Sequence, residues 1–415
     1  MKVLSPIIND NDVVSKKYVD NLLEENLSLK TKAVVMPSSA NWHSVTYGDG
    51  KFVAVAFDSN KAAYSTDSIN WTAATLPSSV RWCSVTYGGG KFVAVGQSDK
   101  AAYSTDGINW TETTMPSSAI WYSVTHGDGK FVAVAQSSDK AAYSTDGITW
   151  TETTIQSQFD LFEVWLSVTH GNGKFVAASE DTLSYSTDGI VWTAAILPVP
   201  VAFVTYGNGK FVAVDNDFDK AAYSTDGINW TETTIPVGGF NSVTYGDGKF
   251  VAVIGGRNEA AYSTDGINWT ETTMPSSADW SSVTYGDGKF VAVALGTNKV
   301  AYSTDGINWY NSYPVIKDGA GTDVTSQVAA VLAPVVRAIT LTAAGWDATA
   351  KTQTVAVAGV TASNAVMPGP VPANWEMAGT AGVRCAAQAA GSLTFMCSAI
   401  PTEDLLYNVL IQEVR

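Results

Sequence analysis

Acid–base, metal and anion chemistry could enter this 415-residue sequence through three histidines, five arginines, three cysteines and a set of recurring carboxylates. His43, His126 and His170 have no Cys, Asp or Glu at ligand spacing beside them, so a zinc-type site is not indicated. No arrangement of Ser, His and Asp suggests a nucleophile with its base. Asp49, Asp128, Asp247 and Asp287 recur at the middle of a short turn, where Asn172, Asn208 and Gly89 take the same place in other copies. One carboxylate per turn is too few for calcium, and Asp, Asn and Gly are the residues that tolerate positive φ, so these are read as turn residues. Glu112, Glu152, Glu232 and Glu271 lie in Thr-rich segments read as polar outer strands, which indicates no acid/base pair across a pocket. Cys83, Cys385 and Cys397 allow one bridge at most. Cys385 and Cys397 flank an expected hairpin at Ala390–Gly391, and either pair when oxidised or stay reduced. No metal and no cofactor is expected.

Composition limits the elements that must hold these groups. The chain has 14 Trp and 35 Gly but only 15% charged residues, a profile of rigid, Trp-rich β-structure. Its net charge of −15 leaves no Lys/Arg cluster to displace counterions from phosphates, so nucleic acid is not an expected partner. The most apolar stretch, Val328 to Ala344, is interrupted by Pro334 and Arg337 and is too short to span a membrane. The N-terminus reaches Asn9 and Asp10 before the apolar run of an export signal can form. A soluble chain without membrane insertion is expected.

Internal repetition decides the architecture. Ser-Val-Thr-Tyr-Gly-Asp-Gly-Lys-Phe-Val-Ala-Val at 44–55 recurs from Ser84, Ser123, Ser167, Phe203, Ser242 and Ser282, giving seven copies. The Tyr or His within each copy (47, 87, 126, 170, 206, 245, 285) is spaced by 40, 39, 44, 36, 39 and 40 residues. Each copy reads as four short strands, in the first Trp42–Tyr47, Lys51–Ala56, Lys61–Ser65 and Trp71–Leu76. The second strand, Phe52-Val53-Ala54-Val55, is apolar on both faces, as in a sheet stacked between two others. These features predict an all-β, seven-bladed β-propeller of four-stranded blades.

The junction after the third strand keeps Ser, Asp and Trp in every copy, from Ser65-Thr66-Asp67-Ser68-Ile69-Asn70-Trp71 to Ser303–Trp309. It resembles the Asp-box hairpin of sialidase-like propellers, with one residue fewer between Asp and Gly. The resemblance implies sialidase chemistry, which relies on an arginine triad to clamp a carboxylate. The repeats contain only Arg81 and Arg257. The chain is therefore expected not to be an enzyme.

Up-and-down strands put the constant turns at one end of every blade and the variable segments at the other. The variable end is read as a binding face for a glycan or protein. Its candidate contacts are Trp42, Arg81, Trp82, Trp121, Tyr122, Phe159, Phe162, Trp165, Phe218, Arg257, Asp279 and Trp280. The five tryptophans either stack on sugar rings or wedge between blades as core.

Outside the repeats, Asp10-Asn11-Asp12-Val13-Val14-Ser15-Lys16-Lys17-Tyr18-Val19-Asp20 resembles a segment recurring in phage tail fibres. Val19, Leu22, Asn26 and Leu29 fit a short coiled coil with a polar core position, or a single amphipathic helix. Ala33 to Pro37 aligns with Glu112 to Pro116 and is expected to close the seventh blade as its outer strand. A linker and short helix are expected over 317–337. Strand-like segments at Ala338–Asp347, Gln353–Val360 and Ala381–Cys397 resemble the small β-domain that ends many phage tail and fibre proteins. The expected organisation is thus an attachment segment with a short helical stalk (1–30), a propeller (31–316), a linker (317–337) and a small β-domain (338–415). The resemblances imply a receptor-binding tail fibre of a virion or phage-tail-like particle, assembled in the host cytoplasm and released by lysis; the alternative is a structural tail-fibre or baseplate spacer that binds no ligand. They further imply a host-surface receptor, expected to be a glycan, tail or baseplate proteins at the N-terminus, and a homotrimer.

Overall fold

The computed structural model describes residues 28–156, 164–317, 335–357, 365–370 and 375–412. It divides into two compact units, Lys32–Tyr313 and the flanking segments. Within Lys32–Tyr313 the chain forms seven antiparallel four-stranded sheets. In the fourth, for example, Ser167–Gly171, Lys174–Ala178, Leu183–Ser186 and Thr193–Ala195 pair in chain order. Where the link between blades is itself extended, one strand serves two sheets: Thr111–Gly127 and Thr270–Gly286 each run from the outer edge of one blade to the inner edge of the next.

Packing follows from the second strand. Phe52, Val53, Ala54 and Val55 are all fully buried, as are their counterparts such as Phe250, Val251, Ala252 and Val253, so both faces of every sheet are core. First strands of neighbouring blades lie side by side around the centre, and six hydrogen bonds link them. The Val45 amide donates to Ser282 Oγ, Val85 to Ser44, Val124 to Ser84, Val168 to Ser123, Val204 to Ser167 and Val283 to Ser242, at 3.0–3.2 Å. The fifth copy carries Phe203 at the serine position, so Val243 cannot make this bond.

The ring closes through a shared outer strand. Val35 pairs with Lys299 at the register that Thr114 holds against Lys100 in the second blade. The C-terminal side contributes as well: Tyr310 and Tyr302 exchange two backbone bonds of 2.9 Å, and Asn311 C=O accepts from Val34 N–H. Closure therefore uses the N-terminal segment expected for it plus Tyr310, whose place in the blade the repeat pattern does not reveal.

The constant hairpins are held by local bonds. In the third blade Asp146 accepts from the Ile148 and Thr149 amides at 2.8 Å and from Ser144 Oγ at 2.9 Å. The amide of Thr149, ahead of the opposing effect of burial, and then the Ile148 amide and the Ser144 hydroxyl hold the carboxyl down at about 2. Because the folded value lies below the ordinary one near 3.8, this stabilisation is present above pH ~4 and is lost as pH falls toward 2. Urea midpoints are expected to stay level down to about pH 4 and to fall between there and pH 2; a fall beginning near pH 6 would sink this account.

One hairpin departs from the rest. Ser68 adopts φ 69° where six copies have Gly at φ 70–74°, and it is fully buried. A Cβ on the equivalent Gly107 would lie 2.8 Å from Val53 Cγ2. Ser68→Gly is expected to raise stability by about 1 kcal/mol, read by denaturant unfolding, through relief of a left-handed, crowded residue.

The flanking segments differ from the expected helix and linker. Residues 28–30, placed at the end of a helical stalk, belong to the strand Ser28–Ala33, which pairs with Ser312–Lys317. The rest of the expected stalk lies outside the described residues. Strand Val335–Leu341 begins inside the expected linker. It forms a sheet with Ala365–Pro370 and Leu405–Gln412, while Thr352–Ala356, Arg384–Ala389 and Ser392–Met396 form a second. A helix at Trp375–Ala381, unforeseen in the residue pattern, contributes Ala378 to a core with Leu341, Phe395 and Val409. Cys385 and Cys397 are free thiols, the first exposed and the second buried. The bridge does not form because the hairpin register sets Cys385 opposite Phe395. Among the described residues no helix is long and apolar enough to cross a membrane.

Candidate binding face

At the variable end, five first strands carry a bulge that inserts one extra residue after the aromatic: His43, Cys83, Tyr122, Asn241 and Ser281. A bulge re-aims its side chain, and three of these reach the next blade. Ser281 Oγ donates to Trp42 C=O at 2.6 Å and Asn241 Nδ2 to Trp280 C=O at 3.0 Å. His43 Nδ1 lies 2.7 Å from Cys83 C=O, which can only accept, so Nδ1 carries the proton. Nε2 then faces the Tyr122 hydroxyl at 3.5 Å. The imidazole stacks on Phe57 with centroids 5.0 Å apart and meets the edge of Tyr122 at 5.5 Å.

Burial lowers the His43 pKa against the pull of the Cys83 carbonyl and the Asp279 charge. Burial also pushes the Cys83 thiol and the Tyr122 phenol up to about 12. All three are neutral near pH 7, so this cluster packs and bridges blades without supplying a thiolate or an ionised base. The other two histidines sit at the constant end in the tyrosine positions. His170 Nε2 is 3.0 Å from Asp128 Oδ2, and burial, then the neighbouring His170, lowers the His126 pKa.

The five tryptophans expected as contacts are core. Trp42, Trp82, Trp121, Trp165 and Trp280 are each 0% exposed. Four of them, Trp42, Trp82, Trp121 and Trp280, donate Nε1 to the carbonyl four residues earlier, at Ser38, Ser78, Ser117 and Ser276, and so fix the link they sit on. Phe240 fills the same place in the sixth blade, also fully buried. Wedging between blades removes these rings from any ligand.

The remaining candidates separate into two places. Arg81 is exposed, donates Nε to Asp58 Oδ1 at 3.0 Å and lies over the Phe57 ring at 5.1 Å. Tyr122 is half-buried beside His43. Phe57 and Asp58 line a shallow cleft of about 260 Å³ with Asn41 and Lys61. Arg257 and Asp279 are brought together in a larger cleft of about 550 Å³, with Asn216, Asp217 and Asn241. Its floor includes glycine: a Cβ on Gly255 would meet Asp279 Oδ1 at 2.4 Å and Asn241 Nδ2 at 2.5 Å and would push these side-chain ends aside. Phe218, next to the lining Asp217, is 61% exposed. Phe159 and Phe162 lie outside the described residues.

One residue lining the larger cleft, Asn241, and one buried behind its rim, Asp215, escape a reading of the sequence as individual site residues. Asn241 is a bulge residue, which a strand period does not reveal. Asp215 is 2% exposed, at a position that is Ala56, Gly96, Ala135, Ser179, Ile254 or Ala294 in the other copies. That charge in an otherwise apolar or small column is the available signal. Among the described residues no cluster of His, Cys, Asp or Glu is suited to a metal ion.

A family model of the DUF6242 beta propeller domain matches residues 123–267, from the third blade to the sixth. The chain is a β-propeller. This propeller is similar to virginiamycin B lyase from Staphylococcus aureus, at 17% identity and TM-score 0.58 over 66% of this chain and 98% of that one. It is also similar to a streptogramin B lyase (16% identity, TM-score 0.58, 67% of this chain and 97% of that one). A third match is YCF48 bound to D1 peptide (15% identity, TM-score 0.52, 65% of this chain and 94% of that one). No curated protein matches by sequence. These identities establish the fold alone. They also correct one expectation: an enzyme, virginiamycin B lyase, is built on the same fold, so missing sialidase residues do not make this propeller a non-enzyme.

Proposed function

We propose that the chain is a receptor-binding tail fibre of a phage or phage-like particle, which adheres to a host cell surface through the variable end of its propeller. One observation carries this reading. Seven near-identical blades present constant hairpins at one end, while bulges, exposed side chains and both clefts gather at the other. The chain enters and leaves the propeller beside Val34 and Asn311, where the outer strand starts at the constant end, opposite the variable face. The Asp10–Asp20 segment and the C-terminal β-domain supply the likeness to tail fibres, with attachment to tail or baseplate proteins through the N-terminus. In a homotrimer, weak contacts to a surface glycan add up to firm adhesion by effective concentration.

Full-length protein carrying a fluorophore is expected to adhere saturably to a subset of a bacterial panel. Replacing Arg257 and Asp279 together by Ala should weaken adhesion about tenfold, and Lys91→Ala at the constant end should leave it unchanged. Absence of saturable adhesion, or equal effects from both ends, would overturn the reading. Assay of the same mixtures for released envelope sugars shows whether adhesion is followed by cleavage.

A further inference from the structure

We infer that the cleft lined by Asn216, Asp217, Asn241, Arg257 and Asp279 takes an uncharged, hydroxyl-rich sugar and rejects acidic ones. The inference rests on the recognition reading above and adds the ligand class. Around the cleft stand Asp217 and Asp279, with Glu180 joined to its rim through Asn216 Nδ2 at 3.4 Å. These carboxylates face a single guanidinium, Arg257, for which no ion pair occurs among the described residues. A sugar carboxylate placed here would gain one bidentate partner and meet several like charges, whereas hydroxyl groups can donate to the carboxylates and accept from Arg257. Asn241 has its Nδ2 engaged on Trp280 C=O, which leaves its Oδ1 as a further acceptor. Gly255 and Gly256 line the cleft without side chains, with open space beside Gly256, so a ring can approach the backbone there.

The rim is held in place rather than loose. Asp215 accepts from the Asp217 amide at 3.1 Å and the Phe218 amide at 3.3 Å, and its own backbone bonds Lys220 C=O and the Phe240 amide, each at 3.1 Å. A buried carboxylate is retained only with such partners. Here they are the amides of the loop that presents Asp217 and the exposed Phe218, whose ring offers an apolar face to a pyranose. Asp215 is thus a positioning residue for the cleft.

Arrays of neutral hexose and N-acetylhexosamine oligosaccharides, printed beside their sialylated and uronic-acid counterparts, test this with the full-length protein. Neutral sugars are expected to bind, and the acidic counterparts to bind roughly tenfold or more weakly. Phe218→Ala should weaken neutral binding about tenfold. Asp279→Asn keeps an acceptor while removing a charge, so it should narrow the gap between acidic and neutral sugars. Thermal unfolding of each variant confirms the fold. Equal or tighter binding of acidic sugars, or a gap unmoved by Asp279→Asn in a folded protein, overturns the inference. Cell adhesion without neutral-sugar binding overturns it and leaves the recognition reading standing; absence of both defeats the two together.

Discussion

Trp121→Ala is expected to cost about 4 kcal/mol of stability, the range for emptying a large aromatic site in a packed core. The indole is fully buried with Val93 and Val95 of the second blade and Val124, Phe131 and Ala133 of the third. Its removal leaves a cavity across a seam whose strands are fixed by their own ladders and cannot collapse inward. It also strands the Ser117 carbonyl, which accepts from Nε1 at 3.1 Å. Urea unfolding followed by fluorescence of the remaining tryptophans measures the loss. A change below about 1 kcal/mol would show that the ring does not act as a packing wedge.

Gly286→Ala is the second large effect, at about 3 kcal/mol or more. A Cβ at Gly286 would sit 2.0 Å from Tyr47 Cγ, inside the ring of the neighbouring blade. Tyr47 cannot yield readily, because it packs on Phe52 with centroids 4.8 Å apart. The same contact recurs around the ring, with Gly48 against Tyr87, Gly88 against His126 and Gly127 against His170. Gly288, two residues on, has φ 70° and open space where a methyl would go, with nothing within 4 Å, so Gly288→Ala should cost only about 1 kcal/mol, from the backbone alone. Similar melting temperatures for the two variants would show that the aromatic seam does not govern closure.

Several of these features were legible in the residues. Asp49, Asp128, Asn172, Asn208, Asp247 and Asp287 do adopt φ of 45–47°, as their chemistry indicated. The apolar second strand correctly implied sheets covered on both faces, and His126 and His170 do stand in for tyrosine, packing on Phe131 and Phe175 at 4.6 Å. The tryptophans were ambiguous, since a large ring in a link between blades has the same local sequence whether it points inward or outward. The bulges were invisible because one extra residue shifts facing without altering the repeat. The serine bonds between first strands needed knowledge of which blade follows which, although Phe203 in place of serine was a visible exception. The stalk reading failed at 28–30 because helical spacing over a few residues says nothing of a partner strand more than 280 positions away.

The pairing of Val34 with Asn311 and of Tyr302 with Tyr310 gives the propeller a single doorway for both chain directions. A module whose two junctions are neighbours can be spliced into a loop of another protein, or lifted out of this one, without stretching its host. The closed ring could equally be cut at a link between blades and its old ends joined, a circular permutation in which the blade order around the axis survives. The blades that form the variable end and the segments that flank the propeller are therefore separable in chain topology.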